Sequence, residues 1–130
     1  MRCNPDKQTR VVVVSLPGMM QNLLRETFDN RFDADVVGVA SGGLSAVNLV
    51  QQKEPDLVVI DSNIPDVEVN SLVFWLKEEY QQICVLVLVE TTNQSKKLAK
   101  TGADIILRSY SLPEGIDRVL ENMKPSRSDK

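Results

Sequence analysis

The chain has 130 residues, 42% of them hydrophobic, and a formal net charge of −3, which fits one domain around one core and argues against a basic nucleic-acid-binding surface. It contains no histidine, which excludes imidazole general bases, histidine metal ligands and histidine-based pH sensing. No apolar run is long enough to span a bilayer and residues 1–9 lack the apolar core of a signal peptide, so a soluble, cytoplasmic protein without membrane contact is expected.

Residues 1–9 are polar, contain Pro5, and read as a flexible lead-in. Val11 to Val14 form a continuous apolar run that suits a strand covered on both faces. Pro17 and Gly18 break it, and Met19, Met20, Leu23, Leu24, Thr27 and Phe28 then recur at helical spacing up to about Asn30. Val36 to Val39 give a second strand. Ser41 is placed to cap the next helix, whose apolar side is expected to hold Leu44, Val47, Leu49 and Val50 and which stops before Pro55. Asp56 to Asp61 form the third strand. After the turn at Pro65 and Asp66 comes a helix with Val69, Leu72, Val73 and Leu76 inward, and with Trp75 as a partly buried anchor. Ile83 to Val89 are the fourth strand. Thr91 to Gln94 are a polar connection, and residues 96–101 a short helix that stops at Gly102. On it Lys96, Lys97 and Lys100 read as a solvated face. Ile105 to Leu107 are the fifth strand. Ser111 to Glu114 form a capping box with Pro113 in the first turn, ahead of a last helix carrying Leu112, Ile116, Val119, Leu120 and Met123. The ordered domain is thus expected over residues 10–123, with 124–130 a tail or the start of a linker. Cys3 and Cys84 lack metal-pair spacing and read as unpaired thiols.

Strict alternation of strand and helix argues for an α/β fold with a parallel sheet covered by helices on both faces. Right-handed crossovers bring every strand's C-terminal end to one edge, where ligand chemistry sits in such folds. That edge collects Ser15 and Leu16, Ala40, Asp61 to Asn63, Val89 to Thr91, and Arg108 and Ser109. Asp61 stands out, because it is a carboxylate placed where a buried strand surfaces.

The segment Pro55-Asp56-Leu57-Val58-Val59-Ile60-Asp61-Ser62-Asn63-Ile64-Pro65, together with Val37 to Ser41 and Gly102-Ala103-Asp104, resembles the receiver domain of bacterial two-component response regulators, over about Arg10 to Met123. With Val85 to Leu88 it leans toward the subfamily joined to helix-turn-helix DNA-binding domains. The resemblance implies a five-stranded parallel sheet in the flavodoxin-like order 2-1-3-4-5. It also implies Asp61 as the acceptor of a phosphoryl group from a sensor kinase's histidine, assisted by Mg²⁺. The family's acidic pair at the end of strand one is replaced here by Ser15 and Leu16, leaving Asp61 and the backbone carbonyl of Asn63 as ligands. Glu90 sits one position past the inward site. By the same resemblance the phosphate-gripping hydroxyl of strand four is Val89, the strand-five lysine is Arg108 (or Ser109, counted from Gly102), and the switch aromatic is Ile105.

These departures lead to the expectation of a pseudo-receiver. It is not an enzyme, needs no cofactor or metal, and acts in signal transduction or transcription regulation through a protein partner or a homodimer, independently of phosphorylation. The resemblance puts Ile105, Tyr110, Leu112 and Arg118 on the interaction face. Arg108 is expected to pair with Asp61 and lower its pKa. The alternative is a working receiver phosphorylated on Asp61 by a sensor histidine kinase with Mg²⁺. A small-molecule binder or enzyme on the same fold is the third class. DNA binding by this domain alone is not expected.

Overall fold

The computed structural model describes residues 8–91, 93, 96, 101–109, 112 and 114–123. Five parallel strands alternate with helices: β1 Thr9–Val14, α1 Met19–Asp29, β2 Ala34–Ala40, α2 Gly43–Lys53, β3 Leu57–Asp61, α3 Asp66–Glu79, β4 Cys84–Val89, β5 Ile105–Arg108 and α4 Glu114–Asn122. The sheet order is β2-β1-β3-β4-β5, the flavodoxin-like order. The central runs Val11–Val14, Leu57–Ile60 and Val85–Val89 are fully buried, which is why they read as unbroken apolar segments and not as alternation. One face is sealed by α2 and α3, through Ala46, Val50, Val69, Leu72, Val73 and Leu76. The other is sealed by α1 and α4, through Leu24, Phe28, Ile116, Val119 and Leu120.

The four α3 residues expected inward are all buried. On α2 Val50 is buried as expected, Val47 packs partly against the core and Ala46 joins them, whereas Leu44 is 79% exposed. Leu44 falls off this stripe because positions two apart, such as Leu44 and Ala46, do not share a helix face. Leu49 packs partly against the core beside edge strand β2, where a Cβ on Gly38 would lie 2.9 Å from its methyl carbons. The β1–β2 register slips there, leaving Val37 as an extra residue.

Ser41 does not cap α2. The helix starts later, with Gly42 as N-cap and no side chain of its own bonded to the cap. The open first turn is filled from the neighbouring helix: the Gly43 N–H donates to Oε2 of Glu68 at 2.6 Å. Gly18 and Gly102 have φ of +150° and +99°, conformations that a side chain resists, and they mark the breaks before α1 and before β5. Of the expected short helix at 96–101 only positions 96 and 101 are described, and Ser111 and Pro113 of the expected capping box lie outside the described residues.

Candidate functional site: a buried carboxylate at the sheet edge

Among the described residues the buried polar or charged side chains are Ser15, Asp61 and Ser62, and all three sit at the C-terminal edge of the sheet. The register explains their meeting. Val14 is level with Ile60, so Ser15 and Asp61 leave adjacent strands side by side. Ser15 N–H extends the ladder to the Ala40 carbonyl at 2.9 Å, and Ser62 N–H to the Leu88 carbonyl at 3.0 Å. Both segments are therefore held rigidly on each side of the acid.

The Ser15 Oγ lies 3.1 Å from Asp61 Oδ2 and 3.3 Å from the Leu16 carbonyl. The Asn63 N–H reaches Asp61 Oδ1 at 3.4 Å. Asn63 in turn accepts the Leu16 N–H at Oδ1, also at 3.4 Å, which ties the loop after β1 to the loop after β3. Gln21 fixes the same loop by donating to the Ser15 carbonyl at 2.7 Å. Burial pushes the Asp61 pKa above the ordinary carboxylate value. The hydrogen bonds from Ser15 and from the Asn63 and Ser62 amides oppose that shift, and the Glu90 charge adds to it.

The direction is opposite to the lowering expected from a pairing with Arg108. A guanidinium seated on Asp61 would act to hold its pKa down, whereas burial, the largest influence, carries it up. Arg108 ends β5 half-buried, level with Val89. The Ser109 Oγ donates to the Val89 carbonyl at 3.3 Å, so that hydroxyl is directed at the β4 backbone. Val89 is buried and Glu90 is exposed. Ile105 and Leu112 are partly buried and pack against the α1–α4 side of the core, while Arg118 is exposed on α4. Tyr110 lies outside the described residues. Ser62, within the expected Asp61 to Asn63 edge segment, and Gln21, which was not anticipated, complete the site. Nothing local marks Gln21, whose role depends on α1 folding back over the β1 loop.

The donor set fits Mg²⁺ poorly. The ion prefers oxygen ligands in an octahedron, typically with one or two carboxylates. Here the neighbour of Asp61 is a neutral hydroxyl, the next side chain is the outward-facing Leu16, and burial disfavours the charged form of the acid. Among the described residues no group of three or more His, Cys, Asp or Glu side chains is placed to hold a metal ion. Nor is any helix among them long and apolar enough to cross a membrane.

The family model for the response regulator receiver domain matches residues 7–119. The chain is 27% identical over 117 residues to the chemotaxis protein CheY of Halobacterium salinarum, covering 85% of this chain and 92% of that protein. It is 26% identical over 113 residues to a protein-glutamate methylesterase/protein-glutamine glutaminase of Methanospirillum hungatei, covering 86% of this chain but 33% of that protein. The chain thus spans about a third or less of the methylesterases that it resembles. The fold is shared with the receiver domain of the putative response regulator NarL from Mycobacterium tuberculosis, at a TM-score of 0.76, 19% identity and coverage of 89% and 95% of the two chains. It is shared as well with the response regulator domain of Thermotoga maritima CheB, at a TM-score of 0.75, 21% identity and coverage of 92% and 100%. With a family match that runs through nearly all of the sheet and its helices, this chain belongs to the response regulator receiver domain family.

Proposed function

We propose that this receiver domain acts in signal transduction as a protein-contact module whose acceptor pocket does not run Mg²⁺-dependent phosphorylation. The observation that carries the reading is the pairing of Asp61 with the Ser15 hydroxyl, in a place where an acid would be needed to help hold a divalent cation. The burial that raises the Asp61 pKa supports it, because desolvation works against the charged form that a metal ligand must present. The apolar Val89 and half-buried Ile105 also offer nothing polar for a phosphoryl group to move, and a ligand shifts a conformational equilibrium only through differential affinity for its states.

On this reading residues 10–123 are the working unit, residues 1–9 a lead-in and 124–130 a tail or the start of a linker. The partner is another protein or a second copy meeting the surface around β5 and α4, with Arg118 exposed there. The domain works in the cytoplasm and binds no nucleic acid by itself. Esterase chemistry belongs to the methylesterases and is not assigned to this chain. The test is incubation with acetyl phosphate and Mg²⁺, read by intact mass and peptide mapping. No stable Mg²⁺-dependent label is expected. Stoichiometric labelling of Asp61 would instead establish a working phosphoacceptor and point to a sensor histidine kinase as the partner.

A further inference from the structure

Parallel helices α2 and α3 leave an apolar groove of about 370 Å³ between them. Leu44 and Val47, one turn apart, form the α2 wall, and Glu68, Ser71, Leu72 and Trp75 form the α3 wall. Trp75 is half-buried and braced from behind by an edge-to-face contact with Tyr80, ring centroids 5.4 Å apart, so the wall is preformed. The apolar surface continues past the groove. Val67 and Phe74, 77% and 64% exposed, stand at i−4 and i+3 from Ser71 and so share its side of α3. With Leu44 this gathers three large exposed apolar residues on two adjacent helices, which is unusual for a surface without a partner.

The walls offer little to a small ligand. Such sites place several convergent polar groups among apolar ones, and here Glu68 already spends Oε2 on the Gly43 N–H. The charges that α3 sets along the groove are acidic at both ends, Asp66 and Glu68 at one and Glu78 and Glu79 at the other, while Lys53 in the last turn of α2 lies six positions past Val47 and outside the groove lining. Lys77, the basic residue of α3, is committed to Asp104 at 2.8 Å and to the Ile83 carbonyl at 3.2 Å. A second copy seated by two-fold symmetry would set these acids against one another. A partner with basic flanks would be attracted.

We propose that the α2–α3 groove docks an amphipathic helix of a partner protein, with large aliphatic or aromatic anchors at i, i+3/i+4 entering between Leu44 and Trp75 and with Lys or Arg at both ends. Glu68 and Glu79 are eleven positions apart on α3, which sets the two basic ends about 16 Å apart. This is the helix-in-groove mode of recognition. It deepens the reading of the domain as a contact module and rests on it, but it does not depend on the chemistry of Asp61.

The experiment uses the full chain and two synthetic helical peptides with the same leucine anchors, one flanked by lysines and the other by glutamates. Binding is followed by Trp75 emission, since Trp75 is the only tryptophan in the chain. The lysine-flanked peptide is expected to shift the emission and to bind about tenfold or more tighter than the glutamate-flanked one, with the gap closing at high salt. Leu44→Lys and Phe74→Lys, both at exposed positions, are expected to remove binding while the circular dichroism stays unchanged. Leu23→Lys, on the opposite side of the sheet, is expected to leave it intact. Equal affinity for both peptides, or no binding by either, overturns the proposal. So does a dimer seen by light scattering and abolished by Leu44→Lys, which would make a second copy the occupant. The phosphodonor test can fail or succeed without changing any of these readings.

Discussion

The Ser15 hydroxyl lies 3.1 Å from Oδ2 of Asp61, so the buried acid of the sheet edge is answered by a neutral group that suits both of its protonation states. With Asp61 ionised, Ser15 donates to it. With Asp61 protonated, the acid can donate to Ser15 Oγ, which then turns its own proton to the Leu16 carbonyl 3.3 Å away. Because the folded-state pKa lies above the value of 3.8 for a free carboxyl, the folded protein holds this proton more tightly than the unfolded chain. The stabilisation is therefore complete below the unfolded pKa and is lost as pH rises through the raised folded value. Asp61→Asn keeps an acceptor for Ser15 and removes the buried charge. It is expected to stabilise the protein at about pH 7 by roughly 1 kcal/mol, a few degrees in Tm, and the gain should vanish in acid. Urea unfolding of both proteins across pH checks this, and a destabilised Asn variant at neutral pH would contradict it.

Ser15→Asp with Leu16→Asp supplies the acids that a magnesium site needs. Ser15 is fully buried, so in the absence of metal the double variant is expected to lose about 2–4 kcal/mol to like-charge repulsion and desolvation. Mg²⁺ should restore part of that loss, because a ligand that binds only the folded state raises its stability. Calorimetric Tm against Mg²⁺ concentration is expected to climb for the double variant and to stay flat for the natural chain. A natural chain whose Tm climbs equally would show that the pocket already binds the ion.

The bond from the Gly43 N–H to Glu68 makes α3 responsible for the N-terminus of α2. Glu68→Ala is expected to cost about 1 kcal/mol, the usual worth of a lost N-terminal cap. Gly43→Ala would set a Cβ 3.2 Å from Glu68 Cγ. In the natural background the better helix propensity of alanine is spent on displacing Glu68, and the net change should be near zero or unfavourable. In the Glu68→Ala background the same change should stabilise by up to about 1 kcal/mol. A thermal-unfolding double-mutant cycle that came out additive would disprove the contact.

Cys84 opens β4 half-buried, with its thiol pushed up to about 11, first by burial and then by the Asp104 charge, against an opposing pull from Lys77. At about pH 8 roughly a thousandth of it is thiolate, so it should react with a disulfide reagent far more slowly than an exposed thiol. In a Cys3→Ser background the native chain is expected to show a slow phase whose rate rises about tenfold per pH unit, and urea should make it fast. Rapid labelling of native Cys84 would place the strand's first residue in open solvent.

The strands were legible in the sequence because their burial is two-sided: runs such as Val11–Val14 and Leu57–Ile60 are apolar at every position, whatever lies over them. The α3 stripe was legible because Val69, Leu72, Val73 and Leu76 leave one possible inward face. Asp61 was legible as the acid at the end of a buried strand. What could not be read locally depended on contacts between segments distant in sequence. Leu44 was expected inward and points outward, because the covered stripe of α2 runs through Ala46 and Val50 and leaves it out. Ser41 looked like a cap, yet the cap comes from Glu68, 25 residues away. The direction of the Asp61 pKa shift hung on which residue reached it. Sequence suggested Arg108, whereas the parallel register that sets β1 beside β3 brings Ser15 to the carboxylate and buries the pair together. Residue types and their periodicity thus determined the elements and the location of the acid, since these follow from local geometry and hydrophobicity. Tertiary structure alone decided the partner of that acid, its proton affinity and the groove between α2 and α3, since these are properties of juxtaposed surfaces.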